Sequence, residues 1–148
     1  MKLTEFLIKS DVSILDNKAE QVIELPRLSK LFKTKFEVTI KNLTNREMDT
    51  ARKEASKPAK KGTNIELDTD IYNAAVVRFG TYDEDGNRFF TNQELMDKFK
   101  VFTPDDLIKK LLYPGEIAYL SAEIADVSGY NVDSVKVSED DIVKEIKN

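Results

Sequence analysis

Residues 103–117 read TPDDLIKKLLYPGEI, and this stretch indicates a helix that begins sharply and is then broken. Thr103 supplies an N-cap hydroxyl and Pro104 fits the first helical position, while acids in the first turn complement the helix dipole. Four apolar residues fall on one face of this helix: Leu107, Ile108, Leu111 and Leu112. Pro114 and Gly115 then interrupt it. The stretch predicts a helical second half packed around that face.

Helical signals continue on both sides of this stretch. Downstream, apolar residues at helical spacing run from Ile117 to Val127 and stop at Gly129, a natural residue for the left-handed position after a helix. A last short helix is predicted to begin at residues 138–141. Immediately upstream, residues 91–94 form a capping pattern that predicts a short helix through Phe99.

The first half combines two further helix signals. Thr44 lies three residues before Glu47, a capping-box spacing that predicts a helix from about 45 to 56. Asp68 or Thr69 caps another helix that runs toward Gly80. The apolar residues near the N-terminus, between positions 3 and 8, predict an amphipathic helix or tether that docks by burying them.

Strand signals are confined to the first half. Residues 21–25 stop at a proline, residues 36–40 alternate apolar with polar side chains, and residues 65–67 predict a third short strand. The basic connection at 27–35 is interpreted as a surface loop or part of a wide hairpin, and residues 56–62 as an exposed loop. We therefore predict one α+β domain over 1–148, mainly helical, with strands within about 20–67, a small antiparallel sheet, and a helical part at about 68–148.

The composition of the chain limits the functions that it can have. The chain of 148 residues is 41% hydrophobic and 34% charged, which suits one folded domain. It contains neither cysteine nor histidine, so thiol nucleophiles, thiolate metal sites and imidazole acid–base chemistry are all excluded. With no apolar run of roughly 18–20 residues and no signal-peptide pattern, a cytoplasmic protein without a membrane partner is expected.

Charge is unevenly distributed along the chain. Residues 1–26 carry a net −2, residues 27–61 a net +7, and residues 62–148 a net −9. The basic segment either folds back near the acidic helices, presents itself to an acidic partner, or pairs with a second copy. Its lysines and arginines, with Phe32 and Phe36 for stacking, leave nucleic-acid binding as a distant alternative, which the pI near 5 disfavours.

The candidate chemical sites fail on spacing. If Gly86 were the sixth position of a calcium loop, the first would be Thr81 and the twelfth Asn92, so two charged ligands are missing. The paired acids at 105–106 and 139–141 lie at helix starts, where the dipole already accounts for them. No metal site, cofactor site or catalytic residue is predicted. Aromatic residues are concentrated at 79–119, and any that are left exposed would favour protein binding.

The stretch LIKKLLYPGEI at 107–117, with its preceding capping residues and the residues Leu120, Ile124 and 128–130 that follow it, resembles the XkdN-like tail assembly chaperones of contractile-tailed phages and defective prophages. Similar residues occur upstream at Leu43, Thr44 and Glu47, and at Asp70, Tyr72 and Asn73. The resemblance extends over roughly residues 36–131.

The resemblance implies a non-enzymatic protein of the bacterial host cytoplasm that binds the tape measure protein while tail tube subunits assemble, and that is absent from the finished particle. The tail tube protein and self-association are further possible partners. The main alternative is a structural tail or baseplate component. We expect partner-binding residues at the helix break, Tyr113 and Pro114, and in the basic loop, Lys57, Lys60 and Lys61.

Overall fold

The computed structural model describes residues 2–58 and 65–130. Its helices and strands, in chain order, are α1 (Leu3–Lys9), a 3-10 helix (Val12–Asp16), β1 (Glu20–Glu24), α2 (Pro26–Phe32), β2 (Glu37–Lys41), α3 (Asn45–Ala55), β3 (Ser56–Pro58), β4 (Ile65–Leu67), α4 (Thr69–Gly80), β5 (Thr81–Tyr82), α5 (Gln93–Phe99), α6 (Pro104–Leu111), α7 (Pro114–Ala125) and a π-helical turn (Asp126–Tyr130). Strands in a small antiparallel sheet and a mainly helical remainder confirm the predicted α+β class.

The larger sheet has the order β1-β2-β5, and both pairings are antiparallel. In its register Ile23 lies opposite Val38, and Thr39 opposite Tyr82. The alternation of β2 buries Val38 and Ile40 on one face, because successive strand side chains point to opposite sides. That buried face supports the helices.

Helix α4 lies at the centre of the helical part and packs against α3, α6 and α7. Four consecutive residues, Ala74 to Val77, are buried, so the helix meets protein on several sides. Its last residue, Gly80, lies so close to Ile124 of α7 that the two helices approach without an intervening side chain. This close approach fixes the packing of α7 on α4.

Local capping determines where most helices begin, as the sequence predicts. Thr44 Oγ1 accepts a hydrogen bond from the Glu47 amide while the Glu47 carboxylate accepts one from the Thr44 amide. The Asp68 carboxylate caps α4 and the Thr103 hydroxyl caps α6. Gly129 has φ 88°, the left-handed conformation expected after a helix.

The connection at 27–35 differs from its predicted loop or hairpin, because residues Pro26–Phe32 form α2. Pro26 occupies the first helical turn, and Leu28 is buried in the core, which anchors the helix. Lys33 then ends the helix in the left-handed region, with φ 55°. The many charged residues of this segment give no clear helical pattern of apolar residues, because Leu28 is the one buried residue of α2.

Two further expectations need correction. Ser56–Pro58 forms a strand rather than an exposed loop, and it pairs with Ile65–Leu67 in a separate two-stranded ladder, so the latter does not join the main sheet. The predicted N-terminal helix is present as α1, but none of the residues Leu3–Lys9 is buried, so it does not dock on the part of the chain that the structure describes. The helix predicted at 138–141 lies outside the described residues.

Candidate partner-binding surface

The break between α6 and α7 is held by a side chain from α2. The Arg27 guanidinium donates to Glu116 Oε1 at 2.8 Å and to the Leu111 carbonyl at 2.8 Å, and it lies 3.8 Å from the centroid of the Tyr113 ring. Glu116 also accepts the Tyr113 amide at 2.7 Å. We call these contacts of Arg27 with Glu116, Leu111 and Tyr113 the clamp. The clamp provides hydrogen-bond partners for one carbonyl at the end of α6 and one amide at the start of α7, so the break is an ordered corner.

The predicted site residues Tyr113 and Pro114 are both exposed at this corner. Tyr113 is 61% exposed, although one face of its ring is covered by Arg27. Beside Pro114 there is a cavity of ≈ 300 Å³ between α4, α6 and α7, with Leu112 and Ile117 among its lining residues. The helix break therefore exposes an aromatic ring next to a concave apolar surface, and the role of both residues in binding stays a prediction.

The pKa of Glu116 depends on its contacts with Arg27 and Tyr113. Burial alone would raise the pKa of its carboxyl, but the hydrogen bonds from Arg27 and from the Tyr113 amide bring that pKa below its ordinary value. A carboxyl whose pKa is lowered by folding stabilises the native state above the unfolded-state pKa of about 4.3, and this contribution is lost as the pH falls through the folded pKa.

We expect Glu116→Gln to lower the free energy of unfolding at pH 7 by about 0.5–1.5 kcal/mol, since a charge-assisted bond to Arg27 is weakened in a partly exposed site. The difference from the wild type should narrow below about pH 4, where the wild-type carboxyl also becomes neutral. Urea denaturation between pH 3 and 7 measures this difference in the free energy of unfolding. Glu84→Gln, in an exposed turn, is the control. A gap that stays constant with pH would contradict the clamp.

The predicted basic loop gives a mixed result. Lys57 lies in β3, is exposed, and has its ammonium 3.7 Å from the Asp68 carboxylate. Lys60 and Lys61 lie outside the described residues. In the described part of the basic segment, five cations are paired with carboxylates of the same chain: Arg27, Lys35, Lys41, Arg52 and Lys57. The positive charge of this segment is thus partly neutralised within the fold.

A second concave surface lies on the other side of α6 from this cavity, and the sequence does not predict it. We call it the aromatic groove; its volume is ≈ 380 Å³ and its lining residues are Phe32, Thr34, Phe36, Phe89, Leu95, Phe99, Leu107 and Leu111. The rings are in mutual contact, with centroids 6.3 Å apart for Phe32 and Phe36 and 6.0 Å for Phe36 and Phe89. Aromatic side chains arranged in this way give a large apolar contact area at low entropic cost.

The N-terminal segment, residues 3–16, is a third exposed apolar feature. Phe6 and Leu7 in α1 and Leu15 in the 3-10 helix are all exposed, and neither helix has a buried residue. Large apolar side chains gathered on a surface mark sites of protein interaction. This segment and the aromatic groove both present apolar side chains at the surface of the described residues.

Of the paired acids considered in the sequence, Asp105 and Asp106 lie among the described residues, and the acids at 139–141 lie outside them. The Asp105 carboxylate accepts a bond from Arg78 at 2.8 Å, and the same guanidinium is bound to Glu54, so Asp105 ties α6 to α4 and α3. Within residues 2–58 and 65–130, no group of three or more carboxylates could hold a metal ion. Over the same ranges, no helix has the length and apolar character to cross a bilayer.

These features define a class: a small α+β domain with an ordered, exposed corner and an open aromatic groove. The family model for the phage XkdN-like tail assembly chaperone protein matches residues 3–147, which is nearly the whole chain and more than the 36–131 expected from the motifs. The chain belongs to this family of bacteriophage tail assembly chaperones.

A solved structure supports the fold. The crystal structure of the protein YqbN is similar to this chain with a TM-score of 0.57 and 20% sequence identity, over 88% of this chain and 98% of that one. At this identity the likeness concerns the fold alone. No curated protein matches the chain.

Proposed function

We propose that this chain is a non-enzymatic chaperone that binds the tape measure protein during tail assembly and is absent from the finished particle. Membership of the family supports a role in tail assembly. The observation that carries the proposal is the open aromatic groove, whose rings remain accessible on an otherwise highly charged chain. Such a surface suits reversible binding to an apolar client.

The physical demands on the client favour this assignment. A tape measure protein must stay soluble as a long chain until tube subunits surround it, and its apolar faces aggregate if they are left open. A small acidic partner with apolar grooves covers those faces and adds net charge, which keeps the complex soluble. The chain acts in the host cytoplasm, where tails are assembled, and the tail tube protein is a second candidate partner.

A binding role also agrees with the side chains that the chain offers. It has no histidine or cysteine, and of the carboxylates considered for catalysis, Asp105 is bound to Arg78. The structural alternative, a tail or baseplate component, requires the same surfaces to remain buried permanently in the particle. The two functions therefore differ in the fate of the chain rather than in its chemistry.

Co-purification and particle composition test the proposal. An affinity-tagged tape measure protein from the same phage or prophage should retain the untagged chain from a co-expressing cell, at a salt concentration near physiological. Mass spectrometry of purified particles should then detect tape measure and tube proteins but not this chain. Stoichiometric amounts of the chain in the particles would establish the structural alternative instead.

A further inference from the structure

Resting on the proposed chaperone function, we propose that the aromatic groove is the client site and that it receives the apolar face of an acidic amphipathic helix. The groove contains apolar side chains from α5 and α6 on one side and the rings of Phe32 and Phe36 on the other. A helix that lays residues i, i+3, i+4 and i+7 into an apolar groove is a recurrent mode of recognition.

The accessibility of the rings favours an incoming side chain over internal packing. Phe32, the last residue of α2, is 49% exposed, although it is stacked on the half-buried Phe36. Phe89 in turn contacts Phe90, which is fully buried. The aromatic cluster thus leads from the core to the surface, and its outer ring leaves one face open to a partner.

The charge of the residues near the groove favours a partner that carries negative charge. Four lysines adjacent in sequence to lining residues form no ion pair in the described part of the chain: Lys33, Lys98, Lys100 and Lys110. Among the acids next to lining residues, Glu37 is paired with Lys35, which leaves Glu94 and Asp106. Among residues adjacent in sequence to the lining, four lysines and two acids are without an ion pair in the described part of the chain, so the unpaired charge next to the groove in sequence is net positive.

Helix ends explain the position of these lysines but not the absence of partners. The lining residues Phe32, Phe99 and Leu111 are the last residues of α2, α5 and α6, where cations are favoured by the helix dipole. Within residues 2–58 and 65–130, these ammonium groups nevertheless form no ion pair with a carboxylate. Carboxylates on the polar face of a docked helix would be attracted to these lysines, both in direct contact and over longer distances.

Two labelled synthetic peptides test the inference directly. Both carry leucines at helical i, i+3, i+4 and i+7 positions, and their polar positions are glutamate in one and lysine in the other. Fluorescence anisotropy with the full chain should show that the glutamate peptide binds at least about tenfold more tightly than the lysine peptide, a difference of about 1.4 kcal/mol. Raising the salt concentration should reduce the difference.

Matched variants locate the site. Phe32→Ser should weaken binding of the glutamate peptide by about tenfold or more, since it removes the half-exposed outer ring of the groove. Phe102→Ser removes an equivalent ring that is 95% exposed and outside the groove, and it should leave binding unchanged. Lys98→Glu keeps the apolar lining intact and should weaken the glutamate peptide selectively, whereas Lys53→Glu on α3 should not.

Equal binding of the two peptides, or full binding by Phe32→Ser with an unchanged melting temperature, would overturn the inference. Concentration-dependent dimers that exclude the peptide and disappear in Phe32→Ser would also overturn it, in favour of the exposed N-terminal segment of a second copy. If the tape measure protein co-purifies while both peptides fail, the groove assignment falls and the chaperone function stands. If the glutamate peptide binds while the tape measure protein does not co-purify, the chaperone function falls.

Discussion

Phe90→Ala should lower the free energy of unfolding by about 3–5 kcal/mol, the largest effect expected from a single substitution in this chain. Phe90 is 1% exposed and is the largest fully buried side chain among the described residues. Its ring meets Phe89 edge to face with centroids 4.9 Å apart, so truncation removes buried apolar area and leaves a cavity behind the aromatic groove.

Phe102→Ala is the matched control for this loss. The two phenylalanines lie twelve positions apart in a stretch rich in aromatics, yet Phe102 projects into solvent and its removal should change stability by no more than about 0.5 kcal/mol. Urea denaturation followed by circular dichroism compares both variants with the wild type. Similar losses from the two substitutions would contradict the placement of Phe90 in the core.

Ile124→Ala should lower the free energy of unfolding by about 2–5 kcal/mol, because Ile124 is fully buried where α7 crosses α4. The partner at this crossing is Gly80, and a Cβ there would lie 2.7 Å from Ile124 Cγ2. Gly80→Ala alone should therefore destabilise the fold by about 1–3 kcal/mol through overpacking, despite the better helix propensity of alanine.

The double variant tests whether these two residues act as a pair. With Ile124 truncated, the added methyl group of Gly80→Ala has room, so the second substitution should cost little or should restore some stability. A double-mutant cycle from urea denaturation gives the coupling free energy. Strict additivity of the two single effects would contradict the close approach of α4 and α7.

The elements that the sequence predicts well are those fixed by local hydrogen bonds. Thr44 with Glu47, Asp68 and Thr103 each cap the helix that their spacing indicates, because a cap involves residues only three positions apart. The break between α6 and α7 follows equally from local geometry, since Pro114 cannot continue the preceding helix and instead begins the next one.

The features that sequence patterns miss depend on tertiary contacts. Helix α2 is held by the burial of Leu28, and the clamp at the corner joins Arg27 to a residue 89 positions away. The aromatic groove combines side chains from Phe32 to Leu111, and no local spacing reports that these segments meet. The sequence indicates Phe32 and Phe36 only as candidate rings for stacking on nucleic acid, whereas the fold shows that they line one groove with residues of α5 and α6.

The most direct test of the chaperone function is the solubility of the tape measure protein when it is co-expressed with this chain. After lysis and centrifugation, we expect most of the tape measure protein in the supernatant when the wild-type chain is present, and most of it in the pellet when an unrelated acidic protein of similar size replaces it. An equal distribution between supernatant and pellet in the two cases would contradict the account.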